Sequence, residues 1–535
     1  MNQLARRESI SEMRSNTQLE DVPELMQRIQ LLLPVNEAAR TSVLSKSWLH
    51  ALSTIPNLRF YVRETNHLKL VDRTLNWYSH FNMPIESFDL NIRIENQESA
   101  SLAENWIRFV ATKTCLKELS LTFYLYGASL TLPDEILSVA KNLTILRVVT
   151  TRGCHSLWMK SSHHPPTINC VYLREVLFRG VGISQEVFDG ILSSCRLLEK
   201  LELTLCSQRE LKTIKVINFH RLYELIIHLE HANSTAVEIS HVPNLRLFSC
   251  LLGGPNDTHL SNVCSLSLGR SVTELSLGGL IKDDASLDMI KSGFPFLESL
   301  TLYMGCWTLG SFHFTCASLK RLSLLWCPLH NFTDVQVYAP KLIFFSFIGY
   351  SMPSLLFPIS TLHKTTFSMI LYKPLDASFF LKMREALALS SECKINISKD
   401  YEPPSDIDID DLRTRLPFPP ANNVRRLVFE TNKDECLWEH SQFFDAFFEI
   451  CHPKKVVAKP DVHFRHTNHF CKLMLREVLE KKTTRGGQYW CRYLKDAQIR
   501  PHETWETLTN SHRSFLDGPE SATYFKLNWS TNVNE

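Results

Sequence analysis

Short runs in which every second residue is apolar recur along most of this chain. The regular ones open at Ile85 (IESFDLNI), Leu116 (LKELSLTF), Leu143 (LTILRVV), Leu173 (LREVLF), Leu198 (LEKLELTL) and Leu222 (LYELIIHL), continue at Leu245, Val272, Leu297, Leu319 and Leu342, and return at Val424 (VRRLVFET). Less regular copies open at Val263, Leu362 and Cys393. From Ile85 to Leu342 the regular starts lie 22 to 31 residues apart. Alternation at a period of two predicts a strand with one buried face, and a fixed pitch of this size predicts one such strand per repeated unit.

A single unit of that kind cannot bury its apolar face by itself. Stacked units align their strands into a parallel sheet and make one continuous apolar core. With L-x-x-L-x-L in each copy, the pattern reads as leucine-rich repeats, and the fold expected is an α/β solenoid of horseshoe type over residues 61–430. Return segments LPDEILSVAKN (132–142), SQEVFDGILSSC (184–195) and DASLDMIKSGFP (284–295) carry helical spacing, so the convex side is expected to be partly helical. Residues 401–420 (YEPPSDIDIDDLRTRLPFPP) place Asp406, Asp408, Asp410 and Asp411 close together, which predicts an extended, solvated acidic loop. It lacks the glycine and the closing glutamate of a calcium loop. Residues 431–535 are expected to form a basic helical C-terminal cap, from apolar spacing in HSQFFDAFFEIC (440–451) and NHFCKLMLREVLEKK (468–482).

Residues 21–60 follow a different pattern. Leu25, Ile29, Leu32 and Leu33 fall at helical spacing until Pro34 stops the turn; Asn36 begins a second short helix carrying Ala39 and Val43, and Ser45 caps a third carrying Trp48 and Leu52. Three helices this short, apolar on more than one face, need another surface to complete them. The stretch resembles a plant-type F-box, in Pro23, Ile29, the Leu33-Pro34 pair, the run from Arg40 to Lys46, Trp48 and Pro56-Asn57-Leu58. Gln30 stands where that family commonly has an apolar residue, which is expected to weaken the first helix. The resemblance implies docking on a Skp-type adaptor, and through it on a cullin, with Pro23, Leu25, Ile29, Leu33, Pro34, Val43, Leu44 and Trp48 facing the adaptor.

Composition narrows the remaining choices. Hydrophobic residues are 44% and charged residues 21% of the 535, ordinary for folded protein, and only the ends, including 1–20, read as disordered. A net charge of +2 argues against nucleic acid or an anionic membrane as main partner. The 15 cysteines include no Cys-x-x-Cys pair, and residues 1–20 lack the apolar core of a signal peptide; a reducing location, cytosol or nucleus, is expected. The 17 glycines form neither G-x-G-x-x-G nor G-x-x-x-x-G-K, and no G-x-S-x-G elbow is present, so no catalytic residues, metal or cofactor are assigned. His463, His466, His469 and Cys471 are zinc-type ligands at poor spacing, and His163-His164 read as linker.

The resemblance to F-box proteins implies, as the expected function, that of a non-catalytic substrate-recognition subunit of a Skp-cullin-F-box ubiquitin ligase, with a protein target held by the repeats. Exposed strand positions such as Glu118, Glu199, Lys320 and Arg321 are candidates by position alone. The alternatives are an F-box and repeat scaffold that works without a cullin, and a small-molecule co-receptor.

Overall fold

The computed structural model describes residues 22–33, 40–41, 43–150, 157–160, 166–204, 211–229, 235–252, 270–327, 332–371, 375–399, 407–416, 418–430, 441–459, 478, 489–500, 504–509 and 523–530. Two compact units divide the chain, Met1–Thr213 and Ile214–Glu535.

In the first unit, β1 (Asn57–Val62), β2 (Ser87–Ile94) and β3 (Glu118–Leu125) are followed by strands Ile145–Thr150, Glu175–Arg179 and Lys200–Thr204, each parallel to the one before it. In the second, ten parallel strands run in sequence order from Glu224–Leu229 to Lys455–Lys459. The expected copies at Leu362 and Cys393 are present as strands Lys364–Leu371 and Glu392–Lys399, whereas that at Val263 lies outside the described residues. The first coil strand, Asn57–Val62, lies across the boundary expected at residue 60.

Each regular strand begins two residues after the leading apolar residue of its copy. That residue is nevertheless buried, as at Ile85, Leu116, Leu143, Leu173, Leu198, Leu222, Leu245, Val272, Leu297, Leu319, Leu342 and Val424. It tucks under the sheet while the two residues after it bond sideways. A single carbonyl accepts both of their amides: Glu86 O receives Lys117 N at 2.7 Å and Glu118 N at 3.1 Å, and Arg174 O receives Glu199 N at 2.7 Å and Lys200 N at 3.0 Å. The same double acceptance recurs at Lys117, Thr144, Tyr223, Arg246, Thr273, Glu298, Lys320, Ile343 and Ser391. Inward side chains then stack in register, for example Phe88, Leu119, Leu146, Val176 and Leu201. Each buried side chain of this size contributes about 1.5–3 kcal/mol.

A second tie joins the coils just before the leading position. Asn142 Nδ2 donates to Thr114 O at 2.7 Å, Asn244 Nδ2 to His220 O at 2.6 Å, Ser318 Oγ to Leu297 O at 2.7 Å and Asn423 Nδ2 to Ser390 O at 3.0 Å. These side chains satisfy turn carbonyls that the sheet cannot reach.

The return side is mixed. Helices Gln97–Ala111, Gln185–Ser194, Asp284–Gly293 and Ala377–Leu387 fill some coils, the two expected at 184–195 and 284–295 among them. At 132–142 the helix is only Glu135–Ser138. Other coils return through short strands that form small parallel sheets of their own, such as Ser311–Thr315, Asp334–Tyr338 and Ser354–Leu356.

Two expectations need correction. The acidic stretch is not an extended loop in its described part: Ile409–Arg415 is a helix, capped by Asp408 Oδ1 accepting from Asp411 N at 2.8 Å. Ile407, Ile409 and Leu412 are buried beneath it, and Asp410 and Asp411 lie in its first turn, where the helix dipole favours negative charge. The described C-terminal region is likewise more strand than helix. Helix Ser441–Ile450 is present, while the described part of 468–482 is Val478 alone. Beyond it, Thr523–Trp529 pairs antiparallel with Lys455–Lys459 and with Leu494–Arg500. The alternation in TYFKLNW and LKDAQIR selects strands, and the last edge, Glu506–Thr507, is only two residues long, which leaves little backbone for another chain to pair with.

Phe443, Phe444, Phe447 and Phe448 of helix Ser441–Ile450 are buried, and Trp490 Nε1 donates to Asp445 Oδ1 at 2.8 Å. His452 lies flat on Trp529, with ring centroids 4.1 Å apart and 1° between planes. Its Nε2 has no hydrogen-bond partner, and burial pulls its pKa down to about 4, partly offset by a hydrogen bond to the Phe448 backbone. An unfolded chain binds this proton near pH 6.5, so between about 4 and 6.5 the unfolded state takes up more protons and stability falls as pH falls. The Tm should therefore drop between pH 7.5 and pH 5, and the drop should be smaller in His452→Phe, which keeps the stacked ring but cannot charge. Thermal melts of both proteins at the two pH values decide this.

Gly279 closes a coil at φ +76°, and a Cβ there would lie 1.8 Å from Leu252 O. Gly279→Ala should cost roughly 1–3 kcal/mol or more, since the added atom meets backbone rather than a movable side chain. Gly293→Ala, where a Cβ meets nothing within 4 Å, should change urea stability little.

Candidate functional site

At the N-terminal end, α1 (Pro23–Leu32) starts with Pro23 in its first turn, a position that requires no amide. The next described helix, α2 (Lys46–Ser53), is capped as expected, Ser45 Oγ accepting from Trp48 N at 3.3 Å. Between them only Leu33, Arg40, Thr41, Val43, Leu44 and Ser45 are described, so most of the expected second helix, with Asn36 and Ala39, and the site residue Pro34 lie outside the described residues.

The core these helices share is small: Met26, Trp48 and Ala51, with Ile29 packed against it. Trp48 was expected to face a partner; it is instead buried in the seam between α1 and α2, with Met26, Ala51 and Ile29. The expectation for Gln30 also changes. Only 2% exposed, it ties the helices together, Nε2 donating to Trp48 O at 3.0 Å and to Thr41 Oγ1 at 2.8 Å. Gln27 Nε2 adds a tie to Thr54 O at 3.1 Å. An amide therefore does at this seam what an apolar residue could not, although Gln30 Oε1 is left without a partner.

Outside that seam the described part of the head exposes large aliphatic side chains. Val43 is 86% exposed, Leu32 86%, Leu44 68% and Leu25 44%, and Leu49 is also exposed. Pro23 is exposed, whereas Ile29 and Leu33 are half-buried. Leu32 and Leu49 complete this surface, although the sequence reading did not assign them to it. Their helical spacing from Leu25 and Ser45 is the signal that finds them.

A cleft of about 960 Å³ separates the head from the first coil. Leu33, Leu52, Ile55 and Trp77 supply apolar walls, and Arg59, Arg73, Asp89 and Lys117 supply charge. Asp89 bonds Arg59 at 3.0 Å; burial pushes its carboxyl pKa up, while Arg59 and Arg147 pull it back down.

The four candidate sheet positions are all partnered. Glu118 accepts from Ser87 Oγ at 3.3 Å, Arg174 reaches Glu199 at 3.2 Å, Lys320 reaches Glu298 at 2.8 Å and Arg321 lies 3.7 Å from Glu274. Nucleophile chemistry has one geometric counterpart worth naming: His228 Nε2 and Ser249 Oγ share a 2.7 Å hydrogen bond on neighbouring strands. It lines neither the cleft nor the small cavity near Leu132, and acts as a cross-strand tie. Among the described residues no group of three or more His, Cys, Asp or Glu is placed to hold a metal, and no helix is long and apolar enough to cross a membrane. His463, His466, His469, Cys471 and His163-His164 lie outside the described residues.

Comparison with known proteins gives these surfaces a context. Residues 103–268 match the family model for the leucine-rich repeats of FBD-associated F-box protein At5g56370. The putative F-box/LRR-repeat protein At3g49150 of Arabidopsis thaliana is 31% identical over 195 residues, covering 34% of this chain and 29% of that protein. The putative F-box/LRR-repeat protein At4g15060 is 24% identical, covering 56% of this chain and 65% of its own, and F-box/LRR-repeat protein 25 is 28% identical, covering 44% and 86%. Both are also from Arabidopsis thaliana. These relatives are plant F-box/LRR-repeat proteins, and this chain is similar to them. The alignment spans under a third of the first of these relatives and about two thirds of the second. Over residues 103–268 the coils accordingly fit leucine-rich repeats.

The head's small core makes Trp48 its main internal support among the described residues. Trp48→Ala should unfold the head, opening limited-proteolysis sites near residue 50, while the main thermal transition of the coils stays within about 2 °C. Leu44→Asp, at an exposed position, should leave the digestion pattern of the parent.

Proposed function

We propose that this chain is the substrate-recognition subunit of a Skp-cullin-F-box ubiquitin ligase. Its head docks a Skp-type adaptor, which carries the cullin, and its repeats hold a protein target. The observation that carries this reading is the uncovered aliphatic surface of Leu25, Leu32, Val43, Leu44 and Leu49 on a head whose own core is three residues with Ile29 against them. Such a head loses apolar surface to water unless a second polypeptide covers it.

The chain supplies no bond-making group in this reading. Ubiquitin transfer proceeds on partner subunits, and the contribution here is proximity, a raised local concentration of target lysines beside the charged conjugating enzyme. In this reading the chain works in a reducing location, cytosol or nucleus.

The test is co-purification with a Skp-type adaptor. Val43→Asp combined with Leu44→Asp changes only exposed side chains, so the head should keep its fold while adaptor recovery falls at least tenfold. Equal recovery from parent and variant would remove the adaptor from the reading.

A further inference from the structure

Many cations of the sheet are neutralised by an acid on a neighbouring coil. In the first unit Arg59 pairs with Asp89, Lys117 with Glu86, Arg147 with Glu175, Arg174 with Glu199 and Arg179 with Glu202. In the second, Lys320 pairs with Glu298 and Arg321 with Glu274. At the last coils a whole row of cations lacks such partners. Lys364, Glu392, Arg426, Lys455 and Lys526 occupy one in-register row across five neighbouring strands. Lys364, Arg426 and Lys455 are exposed, as are Arg425 and Lys454 beside the row, and Lys526 is half-buried. Among the described residues none of these six cations forms an ion pair, and Lys455 lies 5.8 Å from the Trp505 ring. Glu392 is the one acid in the row.

Like charges directly opposite on neighbouring strands destabilise a sheet, and Arg426, Lys455 and Lys526 are opposed in series. The neighbouring coils show that this architecture accommodates an acid at such positions. A cation series left unpaired is therefore a surface that lacks its counter-charge.

We propose that this row is a docking surface for an acidic protein segment, a short run of Asp and Glu on the target. Arg426 offers a planar fork to a carboxylate, and the lysines offer mobile point charges on either side. Three opposed cations span about 10 Å at a strand spacing of about 4.8 Å, room for a few carboxylates. Nucleic acid fits less well, because affinity for it grows with many phosphate contacts and a net charge of +2 gives the chain no long-range field. The proposal rests on the reading that the repeats hold a protein target, and not on adaptor docking.

Fluorescence anisotropy on the full chain tests it, with a labelled twelve-residue Asp/Glu peptide, a Ser/Gly peptide of equal length and an oligo-dT of equal charge, at low and raised salt. The acidic peptide should bind most tightly and weaken as salt rises. Lys455→Glu, which sets an acid between Arg426 and Lys526, should weaken it at least tenfold while the Tm does not fall; Arg426→Gln should weaken it in the same direction. Acidic and neutral peptides binding alike, unchanged affinity in both variants, or tighter binding of oligo-dT would each overturn the proposal. Adaptor recovery by Lys455→Glu should match the parent, so failure of the adaptor reading and failure of this one give different results.

Discussion

One backbone arrangement underlies the rest: in most described coils a single carbonyl accepts two consecutive amides at the entry to the next strand, as Glu86 O does for Lys117 and Glu118. This fixes the register of neighbouring strands before any side chain is considered. A slip of one residue would turn every inward leucine toward solvent. Because register is fixed, the inward stacks are continuous, and the outward positions form straight rows whose charges face one another. The ion pairs of the sheet and the unpaired row near its C-terminal end are both products of that alignment.

Much of this was legible in the sequence, because each coil announces itself locally. L-x-x-L-x-L located twelve regular strands and placed their inward residues; its error was a constant two residues, since the leading residue is buried for packing yet precedes the first sheet bond. The caps at Ser45 and the helices at 185–194 and 284–293 were readable for the same local reason. Where local and long-range terms compete, the reading failed. Four aspartates near 408 outweighed Ile407, Ile409 and Leu412, whose burial decides the conformation. Tail strands were passed over because their partners are remote: Lys455 meets Lys526 across some seventy residues of chain.

The candidate surfaces were less readable than the fold. Trp48 and Val43 look alike in a hydrophobicity pattern, and only the packing of α1 on α2 turns one inward and leaves the other in water. Gln30 looked like a flaw until its amide was seen bridging to Trp48 O and Thr41 Oγ1. Charge pairing is harder still to foresee, since Arg147 and Glu175 are distant in sequence and become neighbours only through the stack. Spacing reveals that both lie on strands, not that they meet.

The return side obeys no comparable rule. Some coils come back through a ten-residue helix, others through three to five residues of strand, without disturbing the sheet opposite. Loop closure grows more costly only slowly with length, by about 0.6 kcal/mol per doubling. Insertions and deletions in these arcs therefore leave the recognition face in frame, so this fold can accumulate length variation on one flank while selection reshapes single side chains on the other.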